Sequence, residues 1–271
     1  KAFKMDGLGN DFVIIDQRSQ NYNLTKDQII KICDRNFIGC DQLIFIQKSE
    51  EKDAGLEFYN SDGSISGACG NGTRCVADLL SKENSDKEII LWTTSGALKS
   101  QILGNNSVET EIGIAKTNWN EIPLNKNLDT KNLNIKIVNK NNIEHIGGTC
   151  VNVGNPHVVF FVDNIEDYDL KKIGPEIENH NYFPEKCNVT LAKVISKKLI
   201  KVKVWERGAG LTKACGTAAC ATAVAANING LTDKKTDIEF ALGNLSITID
   251  QNNSIHMKGP VSDITNIEIN I

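Results

Sequence analysis

The chain has 271 residues, enough for one large domain or two smaller ones, and 40% of them are apolar with glycine left out, which supports a sizeable core. Thirty Lys and Arg against 34 Asp and Glu leave a net charge of −4, which argues against nucleic acid or an anionic membrane as the main partner. No run approaches the ~18 consecutive apolar residues of a bilayer-spanning helix.

The opening, KAFKMDGLGNDFVIID, lacks the apolar segment and cleavage site of a leader, so a cytoplasmic protein is expected. The missing Met suggests numbering that starts inside the natural N-terminus. Eight cysteines (Cys33, Cys40, Cys69, Cys75, Cys150, Cys187, Cys215 and Cys220) then read as reduced thiols, most of them small buried apolar residues.

In chain order, the start reads as a strand and is followed by DFVIID (11–16) as another. TKDQIIKICDRN (25–36) reads as a helix with Thr25 as N-cap and Ile29, Ile30, Ile32 and Cys33 on one face. Strands LIFIQ (43–47) and LEFY (56–59) come next, then a helix in NGTRCVADLLSKEN (71–84) with Cys75, Val76, Leu79 and Leu80 at helical spacing. EIILWTT (88–94) reads as a strand, and the polar TNWNEIPLNKNLDTKNLN (117–134) as a linker. IKIV (135–138), HVVFFV (157–162) and LIKVKVWE (199–206) are strand-like, with a Pro-interrupted helical stretch in LKKIGPEIENH (170–180). The Ala-rich CGTAACATAVAANING (215–230) reads as a helix stopped by Asn-Gly, and LSITI (245–249) and IEINI (267–271) as closing strands. The class is α+β with a majority of strand.

The two halves repeat. GLGNDF answers NVGNPH, with Asn10 and Asn155 145 residues apart, and GACGNGTRC answers KACGTAAC, with Cys69 and Cys215 146 apart. Cys75 and Cys220, Asn60 and Glu206, and Gln42 and Asn188 keep the same register. Five landmarks at offsets of 145 or 146 point to duplication.

Each Cys-Gly is expected to open a helix. The first N–H groups of a helix have no internal partner and present about half a positive charge. A cysteine placed there is expected to have a lowered pKa. The glycines that follow, Gly70 and Gly216, let backbone amides approach an anion closely. Two such thiols facing one carbon would suit removal of a proton from one face and its return to the other, a stereochemical inversion that needs no cofactor.

The blocks GLGNDF (7–12), NSDGS with ACGNGTRC (60–75), GNPH (154–157) and ERGAG with ACGT (206–217) resemble the diaminopimelate epimerase family. The resemblance spans about residues 1 to 230. It implies two pseudo-symmetric domains, each a curved, mostly antiparallel sheet wrapped around a central helix, with the active site in the cleft between them. The expected domains are 1–117, completed by the C-terminal strand 262–271, and 118–261. The implied activity is cofactor-independent interconversion of LL- and meso-diaminopimelate, an isomerase step of lysine and peptidoglycan-precursor biosynthesis. The resemblance makes Cys69 and Cys215 the catalytic thiols and His157 and Glu206 the residues that activate them. It assigns Gly70, Asn71, Gly216 and Thr217 to the reacting carboxylate, and Asn10, Asn60, Asn155, Asn188, Arg207 and Gln42 to the rest of the substrate. It also implies a homodimer. Asp6, Leu211 and Ala218 stand where the family more often has His or Gln, an acidic residue and Gly.

Other classes fit less well. A zinc site is disfavoured because CGNGTRC and CGTAAC space their cysteines differently and no paired histidines accompany them, so no metal is expected. A thiol–disulfide oxidoreductase would carry Cys-x-x-Cys, and a nucleotide-binding module a glycine-rich phosphate loop. A proline or hydroxyproline racemase of the same fold is the nearest enzyme alternative, and a non-catalytic amino-acid-binding protein the alternative from another class.

Overall fold

The computed structural model describes residues 1–67, 69–94 and 96–270, so Ala68 of the GACGNGTRC stretch and Ile271 of the expected last strand lie outside it. Contacts divide the chain into two units, Lys1–Glu111 with Lys258–Ile271, and Ile112–Met257.

In the first unit, β1 (Ala2–Gly7) pairs antiparallel with β2 (Asn10–Asp16), which leads through α1 (Lys26–Cys33) to β3 (Gln42–Gln47), parallel to β2. Strand β4 (Ala54–Asn60) is antiparallel to β3 and to β5 (Ile65–Ser66). Helix α2 (Gly70–Asn84) then crosses to β6 (Glu88–Thr93), parallel to β4, and β7 (Gly96–Gly104) and β8 (Ser107–Ile114) follow antiparallel.

The period-two alternation of β2 and β3 explains why both read as continuous apolar runs. Phe12, Ile14, Ile44 and Ile46 enter the core that holds α2, while Val13, Ile15, Leu43 and Phe45 enter the one that holds α1. Thr25 caps α1 in a reciprocal pair with Gln28. Ile30, expected on the apolar face, is 39% exposed instead.

The second unit repeats this order. After the hairpin β9 (Ile135–Val138) and β10 (Glu144–Gly147), β11 (Thr149–Asn152) pairs antiparallel with β12 (Pro156–Phe161). Helix α3 (Leu170–Glu178) leads to β13 (Asn188–Ser196), parallel to β12. Strand β14 (Leu199–Glu206) is antiparallel to β13 and to β15 (Gly210–Thr212). Helix α4 (Gly216–Ile228) crosses to β16 (Lys235–Phe240), parallel to β14, and β17 (Gly243–Ile249) is antiparallel to β16. The chain closes with β18 (Ser254–Pro260) and β19 (Thr265–Ile267), the latter antiparallel to β1.

Both crossing helices are core helices. Residues 71–80 of α2 are all buried, and α4 is buried from Ala218 to Ala226. Helix α4 packs on β11, β12, β13, β16 and β17, and its alanines let the strands come close.

Two expectations need correction. The 117–134 segment is not a free linker, because Ile122, Leu124 and Leu133 are buried in the second unit's core and Trp119 and Leu128 pack against it. Its polar residues cover those anchors. The last strand is Thr265–Ile267, and residues 268–270 of the expected strand lie beyond it, because the ladder with β1 ends at the pair Ala2 and Ile267.

Candidate active site

Cys69 and Cys215 are the N-caps of α2 and α4, with nearly identical backbone angles: φ −138°, ψ 112° for Cys69 and φ −140°, ψ 116° for Cys215. Neither helix has an acidic residue in its first turn, so no charge on the helix itself offsets the positive end of its dipole. Gly70 and Gly216 are the first helical residues.

In the first unit, the Cys69 Sγ donates to Asn10 Oδ1 at 3.6 Å and makes no capping bond to its helix. Asn10 also accepts from Asn71 Nδ2 at 3.4 Å, and Asn71 Oδ1 accepts from the fully buried Arg74 at 2.9 Å. The orientation of Asn10 is set by Asp41, whose carboxylate can only accept. It takes the Asn10 Nδ2 at 3.0 Å and so turns Oδ1 toward Cys69. Gln42 and Asn60 are brought together, Nε2 to Oδ1 at 2.9 Å, and Gln42 Oε1 is buried with no partner among the described residues. Asp6 accepts the Gly9 N–H at 2.8 Å and so shapes the turn before Asn10.

In the second unit, the row of strand ends carries His157 on β12 opposite Asn188 on β13, with Glu206 at the end of β14. The corresponding row of the first unit carries Phe12, Gln42 and Asn60, so this row of strand ends carries an imidazole and a carboxyl group in the second unit only. His157 Nε2 lies 2.8 Å from Asn155 Oδ1 and 3.1 Å from the Thr217 hydroxyl. Burial first, and the Arg207 charge second, push the imidazole pKa down to about 3, so His157 is neutral. The contact with Asn155 then places its proton on Nε2, and Nδ1 is buried without a partner among the described residues.

The Cys215 Sγ accepts the Ala218 N–H at 3.4 Å and touches the Thr217 hydroxyl at 3.4 Å. Its pKa is nevertheless raised well above the ordinary thiol value, which corrects the expected lowering. Burial is the largest cause and the nearby Glu206 carboxylate the next; the hydrogen bonds from Thr217 and Ala218 only partly oppose them. Arg207 is exposed; its backbone N–H donates to Asn188 Oδ1 at 2.9 Å and its guanidinium to the Glu185 carbonyl at 2.7 Å. Ala218 is buried in the first turn of α4 and Leu211 is exposed on β15.

Three positioning residues escape a reading of the sequence. Asp41 orients Asn10. Thr212 donates to Glu206 Oε1 at 2.5 Å. Glu178 on α3 accepts from the Trp205 indole at 2.7 Å and from the Gly208 N–H at 3.2 Å, and so ties down the turn that bears Arg207. Asp41 at least adjoins a motif residue, Gln42, but nothing in the sequence marks Glu178. Among the described residues, no three His, Cys, Asp or Glu side chains are grouped to hold a metal ion, and no helix is long and apolar enough to cross a membrane.

A sequence profile described as diaminopimelate epimerase matches residues 2–117 and 149–264, two stretches of equal length that follow the repeat. The diaminopimelate epimerase of Pelagibacter ubique (strain HTCC1062) is 77% identical over 271 residues, covering 100% of this chain and 99% of that one. Among solved structures, a predicted epimerase from Pseudomonas aeruginosa superposes with a TM-score of 0.70 at 13% identity, covering 99% of both chains. A hydroxyproline epimerase from Agrobacterium vitis gives 0.64 at 12% identity, covering 98% of this chain and 90% of that one. Those two likenesses show the fold. The profile match and the 77% identity over the full length show more: the chain belongs to the diaminopimelate epimerase family.

Proposed function

We propose that this chain interconverts LL- and meso-diaminopimelate by proton transfer at one α-carbon, with Cys69 and Cys215 as the two acid–base groups and no cofactor. The observation that carries this reading is the matched pair of helix-capping cysteines in a member of this family. The reaction requires the thiols to reach opposite faces of the α-carbon. One removes the proton as a thiolate, the electron pair is left on the carbon and its carboxylate, and the other thiol returns a proton to the opposite face. Backbone amides at Gly70 and Asn71 and at Gly216 and Thr217 receive the carboxylate as its charge grows.

Cys215 enters as the thiol, which follows from its raised pKa, and this assigns proton removal in that direction to Cys69. In the reverse direction the roles exchange, and Glu206 takes the Cys215 proton. Neutral His157 holds the Thr217 hydroxyl beside the Cys215 sulfur. Asn10, Gln42, Asn60, Asn155 and Asn188 read the substrate's polar groups, and Arg207 suits the distal carboxylate bidentately. In this reading the enzyme is a cytoplasmic homodimer, which sedimentation of the purified chain tests.

The deciding assay offers LL-diaminopimelate and the proline and hydroxyproline isomers in deuterated water. Inversion of diaminopimelate with solvent deuterium entering at one α-carbon is expected, and Cys69→Ala and Cys215→Ala should each abolish it while substrate still binds. Turnover of proline alone would favour the racemase alternative. Normal turnover by either single variant would refute the two-thiol mechanism, and binding without any exchange would favour a binding protein.

A further inference from the structure

Cys33 ends α1 and Cys40 leads into β3, and both are buried. Their sulfurs lie 3.5 Å apart, with the Cys40 S–H donating to Cys33. The backbone joins at the same two residues: the Cys40 N–H donates to the Cys33 carbonyl at 3.2 Å, and the Gly39 N–H to the Ile32 carbonyl at 3.0 Å. Gly39, at φ +76°, makes this return possible, since a Cβ there would sit 2.9 Å from the Arg35 Cα. A disulfide needs the sulfurs at about 2.05 Å on backbones already close together. Side-chain rotation can supply the remaining ~1.5 Å, because the backbone hydrogen bond already holds the two residues side by side.

We propose that Cys33 and Cys40 are a covalent redox site, separate from Cys69 and Cys215, that closes to a reversible disulfide on reaction with a low-molecular-weight disulfide. The Cys40 hydrogen bond, opposed by burial and helped by the Arg35 charge, holds the Cys33 thiol below its ordinary value, whereas the same pairing pushes Cys40 up. Cys33 is therefore the attacking sulfur. It gives up its proton and attacks the small disulfide, forming a mixed disulfide and expelling one small thiolate. Cys40 then gives up its proton, attacks the Cys33 sulfur and expels the second. Two protein thiols are oxidised, one small disulfide is reduced, and the two protons end on the two small thiols.

The cover over the pair is the turn 34–39, in which residues 34–37 are exposed and Arg35 is tied to Asp11 at 2.7 Å and to Asp41 at 2.6 Å. Opening it breaks these ion pairs, the short turn hydrogen bonds, the Lys4 Nζ bonds to the Ile38 and Gly39 carbonyls at 3.1 and 2.6 Å, and the packing of Ile38 on the core. The site also has a route to the rest of the unit, since Asp41 follows Cys40 and orients Asn10.

The test is made on the unaltered chain, incubated with oxidised glutathione, alkylated without reduction and digested with trypsin. Cleavage after Lys31, Arg35 and Lys48 puts the two cysteines on separate peptides, 32–35 and 36–48. The expected result is a linked 32–35/36–48 species that grows with the ratio of oxidised to reduced glutathione and disappears on reduction. In Cys40→Ser, Cys33 should instead accumulate as the glutathione mixed disulfide. Recovery of the two peptides unlinked from the unaltered chain, alkylated or glutathionylated, across ratios that oxidise its other cysteines would overturn the proposal.

Discussion

Gly72→Ala tests why a glycine stands at the third position of α2. By helix propensity alone, alanine should gain about 1 kcal/mol. The tertiary setting reverses the sign. A Cβ at position 72 would meet Ile44 Cδ1 at 2.7 Å, Phe58 Cε1 at 3.0 Å and Phe12 Cε1 at 3.2 Å. The first contact falls roughly 1 Å short of the ~3.5–4.0 Å optimum. All three neighbours are buried, so none can swing into solvent. Overpacking costs about 1–3 kcal/mol, and a 2.7 Å contact among buried neighbours falls in the upper part of that range, about 2–3 kcal/mol. The net expectation is destabilisation of ~1–2 kcal/mol, read as a urea midpoint lowered by roughly 0.5–1 M. Turnover should fall further, because the same clash pushes the start of α2, and Cys69 with it, off the sheet. Ile44→Val removes the closest atom. Alone it should cost about 0.5–1.5 kcal/mol, but in the Gly72→Ala background it should be neutral or stabilising. A Gly72→Ala chain as stable as the parent, or additivity in the double variant, would refute the packing argument.

Two further outcomes follow from the second unit. His157 binds a proton less readily folded, at about 3, than unfolded, at 6.5, so its contribution to stability is complete above 6.5 and is lost as pH falls toward 3. Between pH 6.5 and 4.5 the parent should lose up to about 1.4 kcal/mol more per pH unit than His157→Gln, and parallel urea midpoints would contradict this. Thr212→Val removes the donor to Glu206. With a charge-assisted bond at about 1.5–3 kcal/mol, kcat should drop on the order of tenfold with KM little changed, Thr212→Ser should restore it, and an unaltered kcat would exclude the positioning role.

Much of the architecture was legible because it depends on local pattern. Short β-branched and aromatic apolar runs at 11–16 and 43–47 mark strands whichever face they turn, and the helical spacing of Cys75, Val76, Leu79 and Leu80 marks α2. The constant offset of Cys-Gly and Asn landmarks announced a duplicated unit, and the two units do share one strand order. The linker reading of 117–134 went wrong where composition conceals burial, since three apolar anchors suffice to hold a polar segment on a core.

By itself, then, the sequence determined the helices, about half of the strands, the repeat and the pair of cysteines at helix starts, all of which follow from residues near one another in the chain. Only the tertiary structure decided the state of those groups. Burial and Glu206 keep Cys215 a thiol against the pull of its own helix, and burial keeps His157 neutral. Asp41, Thr212 and Glu178 become positioning residues only because strand pairing and helix packing bring them to partners in other elements. Desolvation and long-range contact have no signature in local spacing, so nothing in the helical pattern of 71–84 marks Gly72 as the close-packed point against three core side chains that it is.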